Sequence, residues 1–285
     1  MKSTRRAYRR KQTRRRRKGG KKLGEGVYGF VVDPAIACVG KDTSGYVSKV
    51  FSPNVTHYTG TAESLMKKAK ENPVFAKLKE IDPEQKEFIY AEFCDTPGEL
   101  SEENKADGVT EENKKFGYLM KRGGRSLEEE FKEKAIESLP DMATVMEQGI
   151  DANPPSAYKL ILQETLKYLE PKVKSSVTYL KPIVNEVLRL RDKLCDNGIL
   201  QNDLHPGNVL RMDDGTLRII DFDIATTFDP KNPPRKHFED LQFEDQAFIE
   251  SCAWAMVLKD ADKEGTYLDI LRSNLAQKIT DELSA

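Results

Sequence analysis

Three oxygen-bearing side chains lie close together late in the chain. Asp203 and Asn208 fall within Gln201-Asn202-Asp203-Leu204-His205-Pro206-Gly207-Asn208-Val209-Leu210, and Asp221 heads Asp221-Phe222-Asp223. A carboxylate on a loop can take a proton from a hydroxyl. An amide oxygen and a second carboxylate are hard ligands of the kind Mg²⁺ accepts alongside phosphate oxygens. One base and two cation ligands at a single mouth of loop and strand are parts that phosphoryl transfer uses. The plainer alternative is that Asp203 and Asn208 cap turns and Asp221 ends a strand. His205, two residues past Asp203, has two roles open to it: donation to a transferring phosphate, or fastening of the loop to a backbone carbonyl.

Phosphate chemistry also calls for a cradle and a cation. Gly24-Glu25-Gly26-Val27-Tyr28-Gly29-Phe30-Val31 fits G-x-G-x-x-G-x-V, in which Gly24, Gly26 and Gly29 let a hairpin backbone approach phosphates without a Cβ clash. Taken alone, the match fits an ordinary glycine-bearing turn equally well. After Gly29 comes Phe30-Val31-Val32-Asp33-Pro34, a strand and a proline turn where a dinucleotide-binding fold needs a helix, so that fold is set aside. Lys49 follows on the next strand, flanked by Val47, Val50 and Phe51, which argue for burial. A buried lysine needs an anionic partner. Glu63, near the start of the following helix, is the preferred partner, and Glu71, close to Pro73, the poorer one.

The elements that must position these residues can be placed from periodicity. Leu23–Val32 and Gly45–Phe51 read as strands, and Thr61–Ile81 as helical but interrupted at Asn72-Pro73, with Leu65, Met66, Ala69, Phe75 and Leu78 as buried positions. Lys86–Phe93 and Phe116–Lys121 are further strand signals. The polar, acidic stretch Asp95–Lys115 between them predicts an exposed loop that tolerates length. At Gly123-Gly124 the pattern turns helical, which predicts a β-rich lobe over 23–122 and a helical lobe over 123–285. Ser175–Asp196 carries a stripe at three-to-four residue spacing through Leu180, Ile183, Val184, Val187, Leu188, Arg191 and Leu194, and Asn197-Gly198 supplies its stop. Val209–Met212 and Thr216–Ile220 flank Asp213-Asp214-Gly215, a hairpin signal, and Phe243–Leu258 predicts a buried helix.

Composition hides an asymmetry. The chain of 285 residues balances 46 Lys and Arg against 47 Asp and Glu, yet residues 1–22 hold 13 Lys and Arg and no acidic group. The other 263 residues therefore carry 33 basic groups (46 less 13) against 47 acidic ones. Residues 1–22 are expected to form a disordered basic tail, read as a nonspecific nucleic-acid contact, a nuclear import signal or a solvated arm. With Tyr8 its one aromatic, any nucleic-acid contact would be to the backbone. Cys38, Cys94, Cys195 and Cys252 are widely spaced, with no C-x-x-C pair, which suggests neither a disulfide framework nor a zinc site and points to a reducing, intracellular home. The apolar run Cys252–Leu258 falls far short of the roughly 20 residues a membrane span needs, so no membrane partner is expected.

Taken together, the glycines, Lys49, Asp203-x4-Asn208 and Asp221-Phe222 resemble the protein kinase-like superfamily over residues 23 to about 258. The resemblance implies an α+β, two-lobed fold with a β-rich N-lobe, a reduced helical C-lobe and ATP between them. By the same resemblance, Gly24, Gly26 and Gly29 cover the ATP phosphates, Lys49 binds the α- and β-phosphates, Glu63 orients it, and Met120 to Gly123 form the hinge against adenine. Asp203 accepts the hydroxyl's proton, and Asn208 and Asp221 hold Mg²⁺. There are departures. Gln201-Asn202 stands where protein kinases usually show His-Arg, His205 replaces a lysine, and Asp223 replaces a glycine. Asp-Leu-His-Pro-Gly-Asn is similar to the loop of antibiotic and sugar kinases, while the basic leader and compact C-lobe resemble kinase-like proteins of large DNA viruses, which would place the chain in a host cell or virion. The implied activity is transfer of the γ-phosphoryl group to a hydroxyl, first of Ser/Thr in a protein, with a small-molecule hydroxyl as the runner-up. A catalytically silent nucleotide-binding scaffold is the reading from another class.

Overall fold

The computed structural model describes residues 21–25, 29–52, 61–135, 155–231, 235–257 and 266–285. Gly26 and all of the basic tail except Lys21 and Lys22 lie outside the described residues. Mixed α and β elements form two compact units, one of residues 1–64 and 93–119, the other of 65–92 and 120–285. The division differs from the single boundary expected at Gly123-Gly124, because residues 65–92 belong with the later part of the chain. Bonds made by that segment give the reason. Lys77 donates to the carbonyls of Asn197 and Gly198, and Ile89 and Ile219 are joined through Ile89 N–H to Ile219 O at 2.9 Å.

Strands β1 (Lys21–Glu25), β2 (Gly29–Asp33), β3 (Tyr46–Phe51) and β4 (Gly117–Lys121) form one sheet in that order. β1 and β2 pair as an antiparallel hairpin with an irregularity between Lys22 and Gly24, and β2 pairs with β3 so that Val31 faces Lys49. Alternation in β2 buries Phe30 and Val32, which meet Ile36, Val50, Leu100 and Val109 in one apolar cluster.

Leu100 and Val109 come from the stretch expected to be an exposed loop, and that expectation is corrected. The segment folds a short helix, α3 (Glu102–Ala106), capped by Ser101, and buries Asn104, whose amide donates to Pro34 O at 2.7 Å. Its start is fastened by Val39 N–H to Thr96 O, Gly98 N–H to Ala37 O and a disulfide between Cys38 and Cys94. The expectation of no disulfide is therefore also corrected, and with it the cysteine argument for a reducing compartment. The two cysteines are 56 residues apart, a separation from which no pairing can be inferred before the chain is folded.

Helices α1 (Ala62–Glu71) and α2 (Pro73–Ile81) break where the sequence predicts, because Asn72 Oδ1 accepts Val74 N–H and Pro73 occupies the first helical position. Met66, Ala69, Phe75 and Leu78 are buried, and Leu65 is half-buried. The strand expected over Lys86–Phe93 is reduced to isolated bridge residues, Glu92 and Phe88, the latter in a parallel bridge to Ile219. Asp82 explains why: its carboxylate takes the N–H groups of Lys86, Glu87 and Phe88 at 2.9, 2.8 and 2.9 Å, two of them on Oδ2. Groups satisfied by a side chain are unavailable for a ladder.

The second unit continues through β5 (Arg125–Ser126), α4 (Leu127–Lys134), α5 (Pro155–Asp196), β6 (Ile199–Leu200), β7 (Val209–Arg211), β8 (Leu217–Ile219), β9 (Thr226–Thr227), α6 (Arg235–Ala255) and α7 (Thr266–Ser284). Helix α5 starts well before the expected Ser175 and runs through Pro171 and Pro182. Leu169, Val173, Leu180, Val184, Val187, Leu190 and Leu194 are buried along it, and packing of such a stripe outweighs the helix bonds that proline deletes. α5 and α6 both pack on α7. β7 and β8 form the predicted hairpin, with Val209 opposite Ile219, and Gly215 turns at φ +86° while Asp214 accepts from Thr216. Among the described residues no helix is long and apolar enough to cross a membrane.

Candidate active site

The end of α5 sets the direction of everything that follows. Asn197 Nδ2 donates to Lys193 O, and Gly198 adopts φ +69°, the left-handed turn that stops a helix. A Cβ on Gly198 would stand 2.3 Å from Phe228 O, so the close approach of the two chain segments also demands glycine. The chain leaves as β6, paired antiparallel with β9 through Ile199 with Thr227 and Leu200 with Thr226.

Beyond β6 come Gln201, Asn202 and Asp203. Gln201 is 1% exposed. Its Nε2 donates to Ile220 O at 3.1 Å and Asp221 O at 2.9 Å, and its Oε1 accepts Asp203 N–H at 2.6 Å. Asn202, at φ +65°, donates from Nδ2 to Ile224 O at 3.0 Å and Thr226 Oγ1 at 3.1 Å. Asp203 is half-exposed. The loop then closes in a 3-10 turn over Pro206–Asn208.

His205 Nδ1 accepts Gly207 N–H at 3.1 Å, which leaves the proton of the neutral ring on Nε2, 3.9 Å from Asp203 Oδ2. The loop is thus fastened by a backbone N–H, not by the carbonyl considered from the sequence, and Nε2 keeps a donor. Gly207 is crowded by side chains, since a Cβ there would stand 2.7 Å from His205 Cε1 and 2.9 Å from Glu128 Oε2.

Asn208 is buried at 7% exposure and turns its amide nitrogen on Asp203, donating to the backbone O at 2.9 Å and to Oδ2 at 3.0 Å. Both N–H groups face the same residue, so Oδ1 is the atom that can meet a cation. Asn208 O also accepts Ile220 N–H at 2.9 Å, which brings Asp221 beside the loop. Asp221 has φ +60°, uncommon for a residue with a Cβ though less so for Asp. Phe222 holds that conformation from the next position, buried with its ring edge-on to Phe88 at 6.2 Å. Asp203, Asn208 and Asp221 are therefore brought together in the second unit.

The other expected site residues are carried by other elements. Lys49 is in the first unit on β3 and is buried at 7% exposure. Glu63 stands exposed in the first turn of α1, and no ion pair joins it to Lys49 among the described residues. Gly24 lies on β1. Gly29 has a packing reason of its own, since a Cβ would stand 2.1 Å from Val50 O on the neighbouring strand. Met120 is buried in β4. Gly123 and Gly124 pass so close to β7 that a Cβ on them would stand 2.0 Å from Leu210 Cδ1 and 1.7 Å from Arg211 O.

Sequence reasoning treated Gln201 and Asn202 only as departures from a pattern and missed what they hold. The available signal was an uncharged amide directly after two apolar residues, a place where a buried polar group must find partners. A scan against protein-family models and a search of curated proteins each return no match to this chain.

Proposed function

We propose that the chain has a two-lobed protein kinase-like fold with a reduced helical C-lobe and moves the γ-phosphoryl group of ATP to a hydroxyl, a Ser/Thr of a protein being the first acceptor class. The observation that carries this reading is the bonding of Asn208: with both N–H groups on Asp203, its Oδ1 is left for a cation beside a half-exposed base, and the bond from Ile220 N–H to Asn208 O brings the Asp221 backbone to the same loop. That donor set fits Mg²⁺, which Asn208 and Asp221 would hold and which, when bound, neutralises charge on phosphate oxygens.

Asp203 acts by position. Oδ2 is held by Asn208, so Oδ1 is the atom that accepts the proton of an incoming hydroxyl. His205 Nε2–H is the donor for a phosphate oxygen, its ring fixed by the Gly207 N–H. The assignment of Lys49 and the glycines to phosphates rests on the resemblance alone. Most of the acceleration comes from positioning and charge neutralisation.

The test is a Mg-ATP phosphotransfer assay on the full chain, offered a generic Ser/Thr protein and a panel of small hydroxylic compounds. Asp203→Asn is expected to bind Mg-ATP normally while its rate falls on the order of 10²-fold or more. Asp221→Asn removes a negative ligand, so Mg²⁺-dependent nucleotide binding itself is expected to weaken. A wild type that binds Mg-ATP yet transfers phosphate to nothing, with Asp203→Asn changing neither property, replaces the enzyme with a nucleotide-binding scaffold. Transfer to the small compounds alone assigns the acceptor class instead.

A further inference from the structure

We infer that Gln201 and Asn202 are positioning residues, two neutral amides that hold the segment 220–226 against the Asp203 loop and so keep the site assembled with no phosphate on the chain. The inference rests on the phosphotransferase reading for its consequence, though not for its geometry. Gln201 spans the two halves of the site through three bonds: it takes the Asp203 N–H and gives both its own N–H groups to Ile220 O and Asp221 O. An amide is suited to this, since it carries one acceptor and two donors on a planar group. At 1% exposure there is no water to take over those partners, so the three bonds fix the separation of Asp203 from Asp221.

Asn202 does the same one step further along. Its backbone at φ +65° turns the side chain out of line with β6, and Nδ2 reaches Ile224 O and Thr226 Oγ1. The β6–β9 pairs, Leu200 with Thr226 and Ile199 with Thr227, continue the same attachment through the backbone. Asn72 Nδ2 adds a bond from α2 to Ala225 O at 3.4 Å. Each of these contacts is made by an uncharged group. An attachment built of neutral hydrogen bonds needs no added charge to form and none to persist, whereas one built on an arginine would wait for a phosphate.

The two positions differ in a way that makes the inference testable. Gln201 is buried, so its replacement risks the fold; Asn202 is exposed, and glycine accepts φ +65° without strain. Asn202→Gly therefore removes the amide and leaves the backbone its conformation. Amide hydrogen exchange on the full-length protein, read by mass spectrometry over 221–228, reports the attachment directly. Asn202→Gly is expected to speed exchange there by about tenfold while leaving α5 and α7 unchanged. In the phosphotransfer assay the same variant should lower kcat by about tenfold with little change in KM for ATP, and Gln201→His, which restores a donor, should recover more activity than Gln201→Ala.

Phosphatase treatment of the wild type should alter neither exchange nor rate. Unchanged exchange over 221–228 in Asn202→Gly overturns the inference, as does loss of protection on dephosphorylation of the wild type. If the wild type shows no phosphotransfer at all, the functional reading fails while exchange still judges the attachment.

Discussion

Gly29 carries two demands at once. A motif that cradles phosphates would place a glycine there, and so does the sheet, because a Cβ on Gly29 would stand 2.1 Å from the Val50 carbonyl oxygen. The obstructing atom is backbone of the paired strand β3, at the end of the register where Gly29 faces Phe51, and it cannot swing aside as a side-chain tip would. Gly29→Ala is therefore expected to destabilise the first unit by about 3 kcal/mol, the range of an overpacked core, measured by urea unfolding. Unfolding identical to wild type would return the glycine to the phosphate reading alone. The same distinction, a glycine demanded by space as opposed to one demanded by a ligand, applies to Gly124, which is crowded by the Arg211 backbone.

Among the elements, α4, α5 and β7 are joined by one polar triad that contributes to how the second unit responds to acid. Glu130 on α4 accepts from the Tyr179 hydroxyl on α5 and, at 2.7 Å, from Arg211 Nε on β7. Burial pushes the Glu130 carboxyl up, but the Tyr179 and Arg211 donors and the Arg211 charge outweigh it and hold the group below its ordinary value of 4.5. Burial and the neighbouring carboxylate push the Tyr179 hydroxyl up, so it remains a donor at neutral pH. A carboxylate whose folded value is depressed contributes stability that is present above the unfolded value and lost as pH falls through the folded one. Glu130→Gln is thus expected to be less stable than wild type at neutral pH. The difference between them should shrink as pH drops below about 4.5, which chemical unfolding across pH measures. A constant difference would mean that Glu130 contributes by packing alone.

At the scale of the molecule, the cysteines divide as the units do. Cys38 and Cys94 are bonded within the first unit and close a long loop that includes β3 and Lys49. Chain-entropy arguments give a cross-link spanning 56 residues about 4 kcal/mol. Cys252 lies in the second unit, fully buried, and burial pushes its thiol up. Alkylation of the native, unreduced protein is therefore expected to spare Cys38, Cys94 and Cys252. Reduction should expose the first two and lower the unfolding temperature, since the closed loop includes residues 65–92 as well as β3. Labelling of Cys38 before any reduction would refute the pairing. Many of these contacts join residues far apart in sequence, which is why composition alone misjudged the acidic stretch after Asp95 and the cysteines together.

What the sequence determined by itself was local: the break at Asn72-Pro73, the stop of α5 at Asn197-Gly198, the Asp213-Asp214-Gly215 turn and the nearness of Asp203 to Asn208 all follow from caps, turns and short spacing. Tertiary structure alone decided the rest. Asp82 took the N–H groups that a strand at Lys86–Phe93 would have used, and packing on α7 carried α5 through two prolines. Gln201 became the bond between Asp203 and Asp221 only when β8 arrived beside it. A side-chain amide has the same chemistry wherever it stands, but its partners are fixed by which distant backbone atoms the fold brings within reach, and no local pattern encodes that.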